Sequence, residues 1–421
     1  MPSSKLSHLA ETLKGSEIVK LGADVKAKML LGEKIYNFTI GDFDSSIFPI
    51  PEGLQNEIVE AYKTGFTTYP PAEGIAELRQ AIAEFIQNRE GVTFAPNEIL
   101  IAAGGRPLIY AAYRAIVDKG DKVIYAVPSW NNNHYVHFTE GKHVVIESKL
   151  ENNFMPSAAE IKPHLKGSTL LALCSPSNPT GTTFTKIELE EICDIVIAEN
   201  ATRGADERKL YLIFDQMYWT LTFGTTEHFN PVSLRPAMKE FTVFIDGISK
   251  SFAATGVRVG WAMGPESLIN KMKAINSHVG SWAPMAEQKA TAKFLVQHKN
   301  VDDYFINFKA EIAERLDKIY AAFIQLKGDG FSVDAIAPQA AIYLTIQIDL
   351  VGKIKEDNTT LINQAAVTAY LLDEAKLALV PFTAFGASAD SSWYRMSVGT
   401  CKKEEIVEMM QLLKTSLQKL K

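Results

Sequence analysis

Between residues 98 and 281, short runs of β-branched, aliphatic and aromatic residues alternate with longer amphipathic stretches, and this alternation narrows the available folds more than any other feature. The runs are EILIAA (98–103), DKVIYAV (121–127), KHVVIE (142–147), TLLALC (169–174), KLYLIF (209–214), FTVFID (241–246) and VRVGWAM (257–263). They read as strands of an α/β sheet, with helices such as 186–200 between them and ATRGADER (201–208) as an exposed loop. In 301–326, Phe305, Phe308, Ile312, Leu316, Ile319, Phe323 and Leu326 recur at steps of three and four. That spacing predicts one buried face of a long helix joining the sheet to a second layer. The rest reads as a smaller α/β unit, with strands AIYLTIQI (341–348), LALVPF (377–382) and WYRMSV (393–398) and a last helix starting near Lys403.

Composition excludes several function classes. At 421 residues the chain has room for two or three domains, and no internal repeat or flexible linker divides it. Lys and Arg total 43 against 49 Asp and Glu, a net charge of −6 without a long basic run, which disfavours nucleic-acid and anionic-membrane partners. The cysteines, Cys174, Cys193 and Cys401, form neither a disulfide framework nor a CxxC metal pair, and no metal is implied. With no signal-peptide core and no run of about 18 apolar residues, the expectation is a soluble, cytoplasmic protein.

GxxxxGK[ST], GxGxxG after a strand and HExxH are all missing, which removes the common nucleotide and zinc readings. What stands out is GISKSFAATGVRVG (247–260) after the strand FTVFID, with Lys250 between Ser249 and a glycine-punctuated segment ending in Arg258. Alone, such a lysine is ordinarily a surface residue. Other segments accompany it in order: FTIGDFD (38–44), TTYPPAEGIAELR (67–79), ILIAAGGRPLIYAAYRAIV (99–117), VPSWNNN (127–133), CSPSNPTG (174–181), LIFDQMY (212–218) and WYRMSVGT (393–400). By itself, Asp215 at a strand end is equally a helix cap or a functional carboxylate, and Asn178-Pro179 equally a plain turn.

Together, over about residues 36 to 415, these segments resemble the class I/II aminotransferases, pyridoxal-phosphate enzymes of fold type I. The resemblance implies a large domain (49–299) built on a mostly parallel seven-stranded sheet flanked by helices, and a smaller α/β domain from both chain ends (1–48 and 300–421). It implies that Lys250 carries the cofactor covalently and moves the substrate proton, and that Asp215 faces the pyridine nitrogen. Asn178 and Tyr218 would bond the phenolic oxygen, and Trp130 would stack on the ring. For the phosphate, the strand–Gly–Gly–helix pattern suggests backbone donors at a helix start. Gly105, Arg106, Ser249 and Arg258 would share that load, with Pro107 costing one donor even if it occupies the tolerated first helical position.

Tyr69 resembles the tyrosine that reaches the phosphate of a partner subunit, implying a homodimer. Gly41, Asn178 and Arg395 resemble the substrate side, Arg395 gripping the α-carboxylate as a planar fork. The implied reaction passes an amino group from an L-α-amino acid to a 2-oxo acid, 2-oxoglutarate being expected, with ping-pong kinetics. Two alternatives stay open: a C–S β-lyase, and a cofactor-binding regulator, for whose DNA-binding domain there is no room if the fold begins near Tyr36.

Pro107, Phe382 and PQAAIYL (338–344) depart from the family pattern. The departures bear on substrate rather than cofactor. Arg315 lies in the long helix, leaving no second arginine evident for a distal carboxylate. Phe43, Phe48, Trp282, Phe382 and Phe385 hint at an apolar or aromatic substrate, although core packing explains each of them singly.

Overall fold

In a computed structural model describing residues 6–13, 15 and 17–421, the seven apolar runs come together in one sheet. Ahead of it lies a two-residue strand, β1 (Tyr36–Asn37). The sheet comprises β2 (Ile99–Ala102), β3 (Lys122–Val127), β4 (Lys142–Glu147), β5 (Ser168–Cys174), β6 (Tyr211–Asp215), β7 (Thr242–Gly247) and β8 (Gly260–Met263). Their spatial order is β2-β8-β7-β6-β5-β3-β4. β8 runs antiparallel to β2 and β7, and the other pairings are parallel.

Strand periodicity explains why these runs carry so few polar residues. Leu171, Leu173, Leu212, Phe214 and Phe244 enter one hydrophobic cluster, while Leu170, Ala172, Ile213, Val243 and Ile245 enter another on the opposite face. Successive side chains of a strand point to opposite faces, so a sheet covered by helices on both sides needs apolar residues at every position. The helix Gly105–Ile116 covers the second face through Leu108, Ala111, Ala112 and Tyr113. The helix expected at 186–200 runs Lys186–Thr202, opened by a capping box in which Thr185 and Glu188 bond each other's backbone N–H. The loop after it is tied down: the Arg203 guanidinium donates to the carbonyls of Leu165 and Ser168.

A second layer forms at the far end. β9 (Val333–Ala335), β10 (Tyr343–Ile348), β12 (Val380–Pro381) and β13 (Trp393–Ser397) make an antiparallel sheet in the order β12-β13-β10-β9. β11 (Leu377–Ala378) pairs parallel with β1, joining the two ends of the chain. The predicted helical stripe lies on the helix His298–Gly328, and all seven of its residues are buried. Val301 and Phe305 pack into the core of the large sheet, whereas Phe308, Ile312, Leu316 and their successors pack with Tyr36, Phe38 and β10. One helix therefore serves both cores.

The expectation that the fold begins near Tyr36 is corrected: a helix at Glu17–Leu30 precedes it and buries Val25 against Ile35, Leu372 and Ala378. Among the described residues no helix is long and apolar enough to cross a membrane.

Candidate active site

Parallel strands end together, and the loops leaving their carboxyl ends converge on one crevice. β3 leads to Trp130, β5 to Asn178, β6 ends in Asp215, and β7 leads into the short helix Ile248–Ser251 that carries Lys250. These residues line a cavity of about 620 Å³ together with Gly41, Gly105, Arg106, Tyr218, Ser249, Arg258 and Arg395. Every site residue expected from the sequence is thus brought together except Tyr69. Tyr69 is 84% exposed and packs edge-on against Trp282, 5.3 Å between centroids, beside a separate surface hollow.

One end of the cavity suits a phosphate. The helix Gly105–Ile116 starts here with no acidic residue in its first turn, and its opening N–H groups lack intrahelical acceptors. Gly104, at φ 89°, brings the turn against Arg258: a Cβ there would lie 2.3 Å from the Arg258 Nη2. Arg258 is held by the carbonyls of Thr255 (2.6 Å) and Ala103 (2.7 Å), and buried Ser249 lies beside it on the cavity wall. Pro107 is the third helical residue rather than the first, so the donor it removes comes from within the opening turn. The remaining N–H groups, of Gly105 and Arg106, are the two that the sequence pointed to.

Titratable groups occupy the middle. Lys250 Nζ donates to the Gly41 carbonyl at 2.5 Å. Burial lowers this amine to about 8, with Arg395, Arg106 and Arg258 acting in the same sense and Asp42 opposing them. Asp215 is raised to about 6 by burial, partly offset by the Met217 N–H that donates to its Oδ1 at 3.1 Å. Such a carboxylate fits a cationic ring nitrogen, which would supply the counter-charge it lacks. The Tyr218 hydroxyl and Asn178 are both buried and border the same space.

Another part of the cavity is built around Arg395 on β13. It is fully buried, donates to Asn178 Oδ1 (3.1 Å) and the Thr39 carbonyl (2.7 Å), and leaves its Nε without a partner among the described residues. An unpaired buried guanidinium donor is costly unless a ligand meets it, and a carboxylate does so in fork geometry. Arg106 contributes more than its N–H: its guanidinium lies 5.2 Å from the Trp130 ring. Among the described residues it makes no side-chain hydrogen bond or ion pair. Four cationic side chains, Arg106, Lys250, Arg258 and Arg395, thus face two carboxylates, Asp42 and Asp215, in a cavity suited to anions.

The aromatic hint is corrected, because none of its five residues lines the cavity. Phe48 packs on Phe43 and Phe308, Phe382 packs on Phe154, and Trp282 packs on Tyr69. Phe43 and Phe385 stand behind the cations, 5.6 Å from Lys250 Nζ and 4.9 Å from the Arg395 guanidinium. Arg315 is structural, bonded to the Cys401 carbonyl and to Glu311. Sequence reasoning missed Asp42, whose Oδ1 accepts from the Thr255 hydroxyl, and Tyr343, whose hydroxyl meets that of Tyr218. It also missed Ile18, Val19 and Gly22, which bring the N-terminal helix to the cavity rim. Asp42 was detectable as the neighbour of Gly41; nothing local marks the others.

A lysine just past the end of a central strand, a carboxylate on the next strand and a buried guanidinium share this one cavity. Residues 33–413 match the family model described as aminotransferase class I and II, and the chain belongs to that family. It is an aminotransferase of the pyridoxal-phosphate-dependent kind, as family members are. An aspartate aminotransferase from Bacillus sp. (strain YM-2) is 28% identical over 407 residues, 96% of this chain and 97% of that protein. A bifunctional aspartate aminotransferase and glutamate/aspartate-prephenate aminotransferase from Petunia hybrida is 30% identical over 385 residues, 90% of this chain and 77% of that protein. The crystal structure of the aspartate aminotransferase from Rhizobium meliloti superposes with a TM-score of 0.89 at 26% identity, covering 100% of both chains.

Proposed function

We propose that this chain transfers the amino group of an acidic L-α-amino acid to 2-oxoglutarate by a ping-pong mechanism, with pyridoxal phosphate held by Lys250. The observation that carries the reading is a single cavity shared by Lys250, Asp215, Asn178, Arg258 and Arg395. When bound, the cofactor supplies an electron-withdrawing ring and an aldehyde carbon that exchanges oxygen for nitrogen.

The protein's own groups do the rest. Ser249, Arg258 and the N–H groups of Gly105 and Arg106 anchor the phosphate, while Asp215 holds a proton on the ring nitrogen. Asn178 and Tyr218 bond the phenolic oxygen, and Trp130 covers the ring. Arg395 orients the α-carboxylate so that the Cα proton points at Lys250, with Gly41 leaving the room. An amine at about 8 is neutral in about a tenth of molecules at pH 7, against about one in 3,000 for an ordinary lysine at 10.5, so the general base is available.

The Arg106 guanidinium, which makes no side-chain hydrogen bond or ion pair among the described residues and lies beside Trp130, supports a dicarboxylic substrate, as do the relatives named aspartate aminotransferases. We assign Tyr69 to the neighbouring site of a homodimer, in keeping with its exposure. The two-domain division, 49–299 and the joined ends, belongs to the same proposal and is supported by the separate cores.

The test is a half-reaction: L-aspartate alone should convert the bound cofactor stoichiometrically to its aminated form, and 2-oxoglutarate should restore it. Release of pyruvate and ammonia from cystathionine without an amino acceptor would instead establish the β-lyase.

A further inference from the structure

We propose that Tyr343 is a positioning residue for this reaction: its hydroxyl donates to the Tyr218 oxygen and thereby commits the Tyr218 hydrogen to the cofactor's phenolic oxygen. The inference rests on the cofactor orientation proposed above. Tyr343 projects from β10, and its hydroxyl lies 2.5 Å from that of Tyr218, with the rings edge-on at 5.4 Å. Both side chains are buried and both border the cavity.

Each phenol carries one hydrogen, so only one of the pair donates to the other. Were Tyr218 the donor, it would offer the phenolic oxygen nothing but lone pairs. The surroundings favour the opposite direction. The Arg395 guanidinium lies 4.8 Å from the Tyr343 ring centroid, and positive charge there strengthens Tyr343 as an acid. Burial raises both phenols, Tyr218 well above the ordinary range and Tyr343 less far, with Arg395 the chief influence holding Tyr343 down. Gly41 makes the space: a Cβ on it would lie 2.9 Å from the Tyr343 hydroxyl. A hydroxyl that accepts a hydrogen bond becomes a better donor in turn. Tyr343 therefore favours the ionised phenolic oxygen through Tyr218, without touching the cofactor.

The experiment is a pH titration of the visible absorbance of the lysine-bound cofactor in the native enzyme, Tyr343→Phe, Tyr218→Phe and the double variant. Tyr343→Phe should raise the midpoint by about half to one pH unit, the worth of one neutral hydrogen bond. In the Tyr218→Phe background it should add nothing. An equal shift in both backgrounds would overturn the proposal. So would the absence of a shift from Tyr343→Phe where Tyr218→Phe alone moves the midpoint, and that result leaves the cofactor orientation standing. A Tyr218→Phe midpoint identical to the native one removes the orientation itself, and the inference with it. If Tyr343→Phe fails to fold, 3-fluorotyrosine at position 343, a stronger acid, should lower the midpoint, and an unchanged midpoint would count against Tyr343 as the donor.

Discussion

Replacing Lys250 with methionine should stabilise the cofactor-free protein below pH 8, although it destroys activity. The amine's value falls from 10.5 in an ordinary lysine to about 8 here, chiefly through burial. Below pH 8 the lysine is charged whether the chain is folded or not, and the folded state bears the full cost of burying that charge. Between pH 8 and 10.5 the folded lysine is neutral while the unfolded one still holds its proton, so this group's penalty shrinks as pH rises and is gone above 10.5. A gap of roughly 2.5 units corresponds to about 3.4 kcal/mol. The side chain borders the cavity and is only half-buried by surface, and methionine leaves the Gly41 carbonyl without its donor, so the expected net gain is about 2 kcal/mol. Urea unfolding of both cofactor-free proteins across this pH range measures it. The gain should be flat below pH 8, shrink above it and turn into a small loss before 10.5, where only the unmet Gly41 carbonyl remains; a gain independent of pH, or a loss at neutral pH, would refute the reasoning.

Four further outcomes are expected. Arg395→Lys should keep a positive charge yet lower kcat/KM for every amino donor about a hundredfold, because a point charge cannot reproduce the fork; an unchanged kcat/KM would place the α-carboxylate elsewhere. Arg106→Gln should lower kcat/KM roughly ten- to a hundredfold for aspartate and leave alanine nearly unaffected, and an equal loss for both donors would return Arg106 to a purely cofactor-side role. Asp215 loses its negative charge as pH falls through about 6 in the cofactor-free site, so pyridoxal-phosphate affinity should drop there; in Asp215→Asn, equilibrium binding should be weak and lack that step. Tyr69→Phe should weaken cofactor retention only in the dimer, as checked by sedimentation and absorbance over a dilution series, and a fully active monomer would contradict the shared site.

The sheet was legible because its inner strands are buried on both faces, so runs such as TLLALC and KLYLIF stand out from their flanks, although the edge strand β4 is mostly exposed. Lys250, Asp215, Asn178 and Arg258 were legible because backbone requirements near them, such as the close approach at Gly104, leave a local signature. Tyr343 and Tyr218 are 125 positions apart, and the cavity-facing side of the N-terminal helix is visible only once β1 has paired with β11. Arg106 shows the limit most clearly. Its place in the glycine turn pointed to the backbone N–H, whereas the state of its side chain depends on Trp130 lying beside it and on no carboxylate pairing with it among the described residues.

The helix His298–Gly328 has a practical consequence for anyone dividing this protein. A recombinant fragment beginning at 300 would carry away Val301 and Phe305, which belong to the core of the large sheet, and expose both to water. The remaining piece would lose two buried side chains worth roughly 1.5 to 3 kcal/mol each. The chain's two halves share a spine, and a clean excision would have to keep its first turns with the sheet and rebuild its start about two turns later, between Phe305 and Phe308.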